Sequence, residues 1–169
     1  MFIEVNRIPP EGLEVAQALE LEPLTLGGAP APLERVRLSG WFRRSRAEVD
    51  FRGSVVAVID LICSRCTAPL SLEVAGDCFR VYRAGRAAQP VSEGDLDEED
   101  LALTPYDGFR IDLDEIAREQ IYLLLPLKPL CTESCEGLCP HCGSDRNLAP
   151  CGCPEELEGK DLLTLKIPH

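Results

Sequence analysis

Apolar and polar residues alternate over 33–42, with Val36, Leu38, Gly40 and Phe42 on one side and Arg35, Arg37, Ser39 and Trp41 on the other. A period of two marks a β-strand with one buried face. The same pattern runs over 48–62, where Val49, Phe51, Gly53, Val55, Ala57, Ile59 and Leu61 share a face. Its second half, VVAVIDLI, is apolar on both faces, as expected of a central strand. A third strand is predicted over 70–74, continuing past a kink at Gly76 to about residue 82. Cys78 shares parity with Leu70, Leu72 and Val74, which makes it a candidate buried thiol.

The period then changes. In IDLDEIAREQIYLLLP, Leu113, Ile116, Ala117, Ile121 and Leu124 fall on one helical face. Asp112, with Glu115 three residues on, gives a capping-box start, and Pro126 stops the helix. Upstream, 1–8 is a candidate strand, while Pro9, Pro10, Pro23, Pro30, Pro32 and the pair Gly27–Gly28 predict turns and short segments. Residues 85–105 are expected to form an acidic loop. The prediction is an α+β fold: an antiparallel β-sheet, curled toward a barrel, with one main helix near 112–125 and a cysteine-rich C-terminal zinc knuckle. Residues 1–130 would be the body and 131–169 a zinc-binding tail.

Composition narrows the class. At 169 residues and 45% hydrophobic, the chain is long enough to bury a core without disulfide staples. MFIEVNRIPPEG carries no basic region followed by an apolar run, so no secretory signal is expected. No stretch approaches the ~20 apolar residues of a membrane span. A cytoplasmic protein is expected, and in a reducing compartment nine cysteines point to metal or thiol chemistry before disulfides. The net charge of −12 is unfavourable for nucleic acid, yet it is uneven. Residues 34–86 hold ten arginines against six carboxylates, leaving the remainder at −16. Arg35, Arg37, Arg43, Arg44 and Arg46, with Arg65, are the candidate RNA-facing residues. The competing reading makes these arginines solvated outer faces of strands. The acidic run at 93–100 is either a solvated loop or a hold for a basic protein.

Eight cysteines fall in two groups: Cys63-x2-Cys66 after the central strand, and Cys131-x3-Cys135-x3-Cys139-x2-Cys142-x8-Cys151-x-Cys153 in the tail. Cys-Pro-His-Cys-Gly brings two thiolates onto one ion, and Gly143 permits the tight backbone. The simplest ligand set is Cys139, Cys142, Cys151 and Cys153, with Cys135 in reserve and His141 facing solvent. Four thiolates close a tetrahedral site of the structural type. Cys63, Cys66, Cys131 and Cys135 would make a second site clipping the tail to the strand ending at Ile62, although a C-x2-C pair needs no such mate. The spacing fits neither common ferredoxin pattern, so zinc is preferred to an iron–sulfur cluster. A redox role for Cys63 and Cys66 lacks the helix N-terminus that lowers a thiol pKa. Phosphate-binding, dinucleotide, metalloprotease and serine-hydrolase motifs are absent, and two histidines leave little for Cys–His or Ser–His catalysis.

Three segments together resemble the YceD family, the large ribosomal RNA subunit accumulation proteins of bacteria and plastids. They are C-x-R-C at Cys63–Arg65–Cys66, E-x-I-x-L-x-L-P from Glu119 to Pro126, and C-x-G-L-C-P-x-C-G from Cys135 to Gly143. The resemblance covers roughly 54–153. It implies a non-enzymatic role in large-subunit ribosomal RNA accumulation, through assembly or protection of the precursor. The partner would be that RNA or a ribosomal or assembly protein, with no small-molecule substrate. The acidic balance also allows a zinc-stabilised adaptor that holds a basic protein without touching RNA.

Overall fold

The computed structural model describes residues 1–45, 48–84, 103–106 and 108–153. Its centre is a five-stranded sheet in the order β2-β5-β6-β7-β8. The strands are β2 (Leu13–Leu19), β5 (Leu33–Arg44), β6 (Glu48–Ile62), β7 (Pro69–Ala84) and β8 (Leu103–Tyr106). Neighbours pair antiparallel except β7 and β8, which run parallel. Two small sheets complete the fold. β1 (Phe2–Glu4) pairs with β9 (Arg110–Asp112), and β3 (Leu24–Leu26) pairs with β4 (Ala29–Ala31). Gly27 and Gly28, at φ 58° and 84°, supply the two left-handed positions of the β3–β4 turn.

The alternation becomes burial. Val36, Leu38 and Phe42 of β5 and Val49, Phe51, Val55, Ala57 and Ile59 of β6 are buried on one face. β6 is the middle strand, but its other face is not uniformly covered: Val58 is buried, whereas Val56 and Ile62 are exposed. Helix α1 (Leu113–Leu124) lies across the inner face and buries Leu113, Ile116, Ala117 and Ile121. Asp112 caps it by accepting from the Asp114 N–H at 3.0 Å. Gln120, the buried polar residue on α1, donates to the Asp77 carbonyl at 2.9 Å and pins the helix to β7.

Four expectations change. The sheet is open, because β2 and β8 remain edges and α1 covers the inner face that a barrel would have enclosed. Gly76 makes no break: β6 and β7 pair in continuous register from Glu48↔Arg83 to Ile62↔Pro69. The glycine instead admits α1, since a Cβ there would lie 2.4 Å from Leu124 Cδ2. β2 is a seven-residue strand in a region read as turns and short segments. Residues 103–105, read as the end of the loop, belong to the parallel edge strand β8. Cys78 is 2% exposed, within the main core, and burial raises its pKa.

Candidate metal centres

β6 delivers Cys63 at its end, and residues 63–68 fold back to start β7. The Cys63 N–H donates to the Ala68 carbonyl at 2.8 Å, and the Thr67 N–H donates to the Cys63 carbonyl at 3.0 Å. The tail repeats this turn. The Cys139 N–H donates to the Ser144 carbonyl at 2.8 Å, and the Gly143 N–H to the Cys139 carbonyl at 2.9 Å. The residue after the second cysteine is left-handed in both turns: Thr67 at φ 60° and Gly143 at φ 74°. Two sequences with little in common beyond C-x-x-C thus make one knuckle, which turns both thiols of a pair to the same side.

Each knuckle meets a second pair of thiols. The sulfurs of Cys63, Cys66, Cys131 and Cys135 lie within 4.8 Å of one another, as do those of Cys139, Cys142, Cys151 and Cys153. Cys63 Sγ is 3.7 Å from Cys135 Sγ, and Cys66 Sγ is 3.6 Å from Cys131 Sγ. A disulfide requires about 2.05 Å. Four sulfurs at ~2.3 Å from a central zinc stand about 3.8 Å apart in a tetrahedron. The donor set and its spacing therefore fit a closed metal site, and each cluster can hold a metal ion.

The clusters differ in setting. Cys63, Cys66 and Cys135 are buried with Ala68, Leu70 and Leu130 packed around them. In the second cluster Cys139 is buried, Cys151 and Cys153 are half-buried, and Cys142 is exposed. The first cluster also joins distant parts of the chain. The Ser64 N–H donates to the Pro129 carbonyl at 2.8 Å, Arg65 Nη1 to the Cys135 carbonyl at 2.7 Å, and the Leu138 N–H to the Arg65 carbonyl at 3.1 Å. Gly137, at φ 76°, makes room, because a Cβ there would lie 3.0 Å from the Arg65 carbonyl oxygen. Asn147 completes the wall. Its side-chain oxygen accepts from the Glu136 N–H at 2.8 Å, and its Nδ2 donates to Cys135 Sγ at 3.5 Å.

Electrostatics within the metal-free clusters separates the thiols. The Cys66 N–H stabilises the Cys63 thiolate against burial, with help from the Arg65 N–H, and pulls Cys63 down to about 6. At Cys66 the Ala68 N–H favours the thiolate, but burial and the neighbouring thiols prevail and push it up to about 12. Hydrogen bonding with Cys142, then burial, push Cys153 up to about 12. The Ser144 hydroxyl and N–H lower Cys142, and the Cys153 N–H lowers Cys151. Knuckle amides thus do for Cys63 what a helix N-terminus does elsewhere, a source of thiol acidity that the sequence did not reveal. Cys63 is 1% exposed, which opposes attack on an external disulfide.

The arginines are dispersed. Arg37 and Arg43 project from the sheet face opposite α1, and Arg35, exposed at φ 50°, sits in the register shift between Glu34 and Arg37. Arg44 donates to the Val5 carbonyl at 3.4 Å, Arg65 serves the first cluster, and Arg46 lies outside the described residues. Arg80 and Arg83 pair with Glu119 and Glu48. The acidic run 93–100 also lies outside the described residues. His141 is exposed and belongs to neither cluster. Thr67, Gly137 and Asn147 were not singled out from the sequence. The signals available were a non-glycine after C-x-x-C, a glycine between cysteines, and an amide within the cysteine run.

Fold and site together define a helix-covered, open-sheet protein with a cysteine clip joining its β6–β7 turn to its C-terminal region. The family model described as "Large ribosomal RNA subunit accumulation protein YceD" matches residues 51–166, which include both clusters. The chain belongs to the YceD family. It is also similar to uncharacterized proteins of Mycobacterium bovis and of two strains of Mycobacterium tuberculosis. Each is 31% identical over 91 residues, covering 54% of this chain and 42% of the relative. The chain therefore matches less than half the length of these relatives. No solved structure matches it. Among the described residues, no helix is long and apolar enough to cross a membrane.

Proposed function

We propose that the protein is a non-enzymatic ribosome-biogenesis factor that supports large-subunit ribosomal RNA accumulation and is stabilised by two zinc ions. The observation that carries this reading is the family match over 51–166, which contains both four-thiol clusters. Cys63, Cys66, Cys131 and Cys135 would hold one ion, and Cys139, Cys142, Cys151 and Cys153 the other. Bound there, zinc supplies charge neutralisation and a cross-link and leaves no open coordination position. The chain's own residues do the rest. Arg65, Gly137 and Asn147 hold the backbone around the first cluster, and the two knuckles orient the thiols.

Depletion of the protein in its host is expected to lower the ratio of large- to small-subunit ribosomal RNA, and re-expression to restore it. An unchanged ratio rejects the biogenesis role. Elemental analysis of the purified chain is expected to give two zinc ions per chain; one or none rejects the two-site assignment. A second reading, favoured by the net charge of −12, is an adaptor for a basic ribosomal or assembly protein. Capture of such a partner that survives nuclease and is lost on neutralising residues 93–100 would select it over RNA contact.

A further inference from the structure

The face of the five-stranded sheet opposite α1 carries no helix among the described residues. Its cross-strand row Glu14–Trp41–Arg52–Phe79 holds two aromatic rings, 45% and 50% exposed at Trp41 and Phe79. The Arg52 guanidinium lies 4.8 Å over the Phe79 ring. Trp41 and Phe79 stand two strands apart, about 10 Å, so they can take two different flat ligands with Arg52 between them.

Charge is graded across this face. The β5 column reads Arg37, Ser39, Trp41, Arg43; at the same levels β6 reads Val56, Ser54, Arg52, Asp50, and β7 reads Ala75, Asp77, Phe79, Val81, so formal charge falls from +2 through 0 to −1. Among the described residues, Arg37, Arg43 and Arg52 enter no ion pair. A polyanion is therefore drawn to the β5 side, leaving its planar groups to extend toward Arg52 and Phe79. The floor below the aromatic row is small and polar, with Ser39 and Ser54 hydroxyls 3.3 Å apart. That floor offers little apolar relief to a folded protein partner, which would need a buried apolar centre.

We infer that this face docks single-stranded RNA, with Trp41 stacking on one unpaired base, Phe79 taking a second as Arg52 leaves its ring for a phosphate, and Arg37 and Arg43 receiving further phosphates. Exposed aromatics on a sheet, interleaved with arginine, are suited to splayed bases and not to the stacked interior of a duplex. The inference rests on the RNA branch of the function proposed above and names the surface and the state of the RNA.

The test uses the full zinc-loaded chain and a mixed-sequence single-stranded RNA of about 12 nucleotides, within the site sizes of sheet-based binders. Trp41 is the sole tryptophan, so its emission reports on the surface directly. The single strand is expected to quench that emission, and the matching duplex to compete poorly. Trp41→Ala and Phe79→Ala should each weaken binding roughly tenfold or more, with the cooperative thermal transition retained because each residue is half exposed and cross-strand pairs contribute only about 0.2–1 kcal/mol. Replacing Arg37, Arg43 and Arg52 with Gln should flatten the slope of log K on log[salt] by about 2, at ~0.7 per phosphate contact.

RNA binding with unchanged Trp41 emission, wild-type affinity in Phe79→Ala, or equal affinity for the duplex would overturn the surface while leaving RNA contact intact. No binding by the wild-type chain to this strand or to large-subunit ribosomal RNA overturns both the surface and the RNA reading. Quenching by a basic ribosomal protein and not by RNA assigns the face to the adaptor reading and overturns the inference.

Discussion

The two clusters predict unequal consequences for Cys135→Ser and Cys142→Ser. Cys135 is 2% exposed and belongs to the cluster joining the β6–β7 turn to a segment 72 residues away, measured from Cys63. The second cluster is closed by residues 139–153 alone. Closing a loop costs about (3/2)RT ln n. The 65-residue separation of Cys66 and Cys131 therefore costs about 1.8 kcal/mol more than the nine-residue separation of Cys142 and Cys151. In the first cluster the folded sheet meets that cost, so the metal binding proposed there would be coupled to folding of the body. Zinc at a free concentration 1,000-fold above its dissociation constant stabilises by about 4.1 kcal/mol. For a chain of this size that corresponds to roughly 8–16 °C in Tm. Cys135→Ser should remove one zinc and lower the main thermal transition by that amount. Cys142→Ser should remove the other and leave the main transition within about 2 °C. Calorimetry with parallel zinc analysis decides it, with chelator added to the wild type as a control. Equal shifts from the two substitutions, or no shift with chelator, would refute the coupling of the first cluster to the body.

Other outcomes follow from individual positions. Thr67→Gly relieves a β-branched residue at φ 60° and should stabilise the protein by about 1 kcal/mol in denaturant titration. Destabilisation would mean that the Thr67 side chain does more than tolerate the turn. Gly76→Val places a Cβ 2.4 Å from Leu124 Cδ2 and should cost about 1–3 kcal/mol. Wild-type stability would show that the end of α1 yields freely. In the metal-free protein the Cys63 thiol, held near 6 against an ordinary value of 9, is ionised at neutral pH. Its stabilising contribution is complete above the ordinary value and is lost as pH falls through 6. Thiolate absorbance developed as pH rises through 6 should fall by one equivalent in Cys63→Ser; an unchanged amplitude in that variant refutes the assignment. Cys66 and Cys153, pushed up to about 12, must release protons when metal binds, so zinc affinity should rise with pH across the neutral range. A flat affinity profile would exclude thiolate ligation by these residues.

Alternation made β5 and β6 legible because each strand has one continuously buried face. In β2 the same signal is blurred. Gln17 shares the inner parity of Val15 and Leu19, and Ala16 and Ala18 face outward. On an edge strand such exceptions cost little, so sequence need not mark them. Gly76 shows the opposite difficulty. A glycine in a strand reads as a weak point, yet its cause is Leu124, 48 residues away in α1. Openness of the sheet and the parallel pairing of β8 depend on which edges meet. No local pattern in β2 or β8 records that.

The cysteine clusters show the same division between local and spatial information. Spacing along the chain yields the knuckle pairs Cys63–Cys66 and Cys139–Cys142, because each pair is completed within five residues by its own backbone bonds. Which second pair each knuckle meets is spatial, and it depends on Arg65, Gly137 and Asn147 acting through carbonyls, a missing Cβ and one amide. The same geometry separates the two functions assigned to the molecule. The first cluster sits at the Pro69 end of β7, whereas Phe79 lies ten residues along that strand, about 34 Å away. Zinc loss at the first cluster and truncation of the aromatic row therefore act on opposite ends of one hairpin. Their effects on RNA affinity should add when combined, since distant sites with no shared partner are independent. A double variant of Cys135→Ser and Phe79→Ala that departs from additivity would show that the clip shapes the sheet face itself, and that metal content and RNA contact are one function and not two.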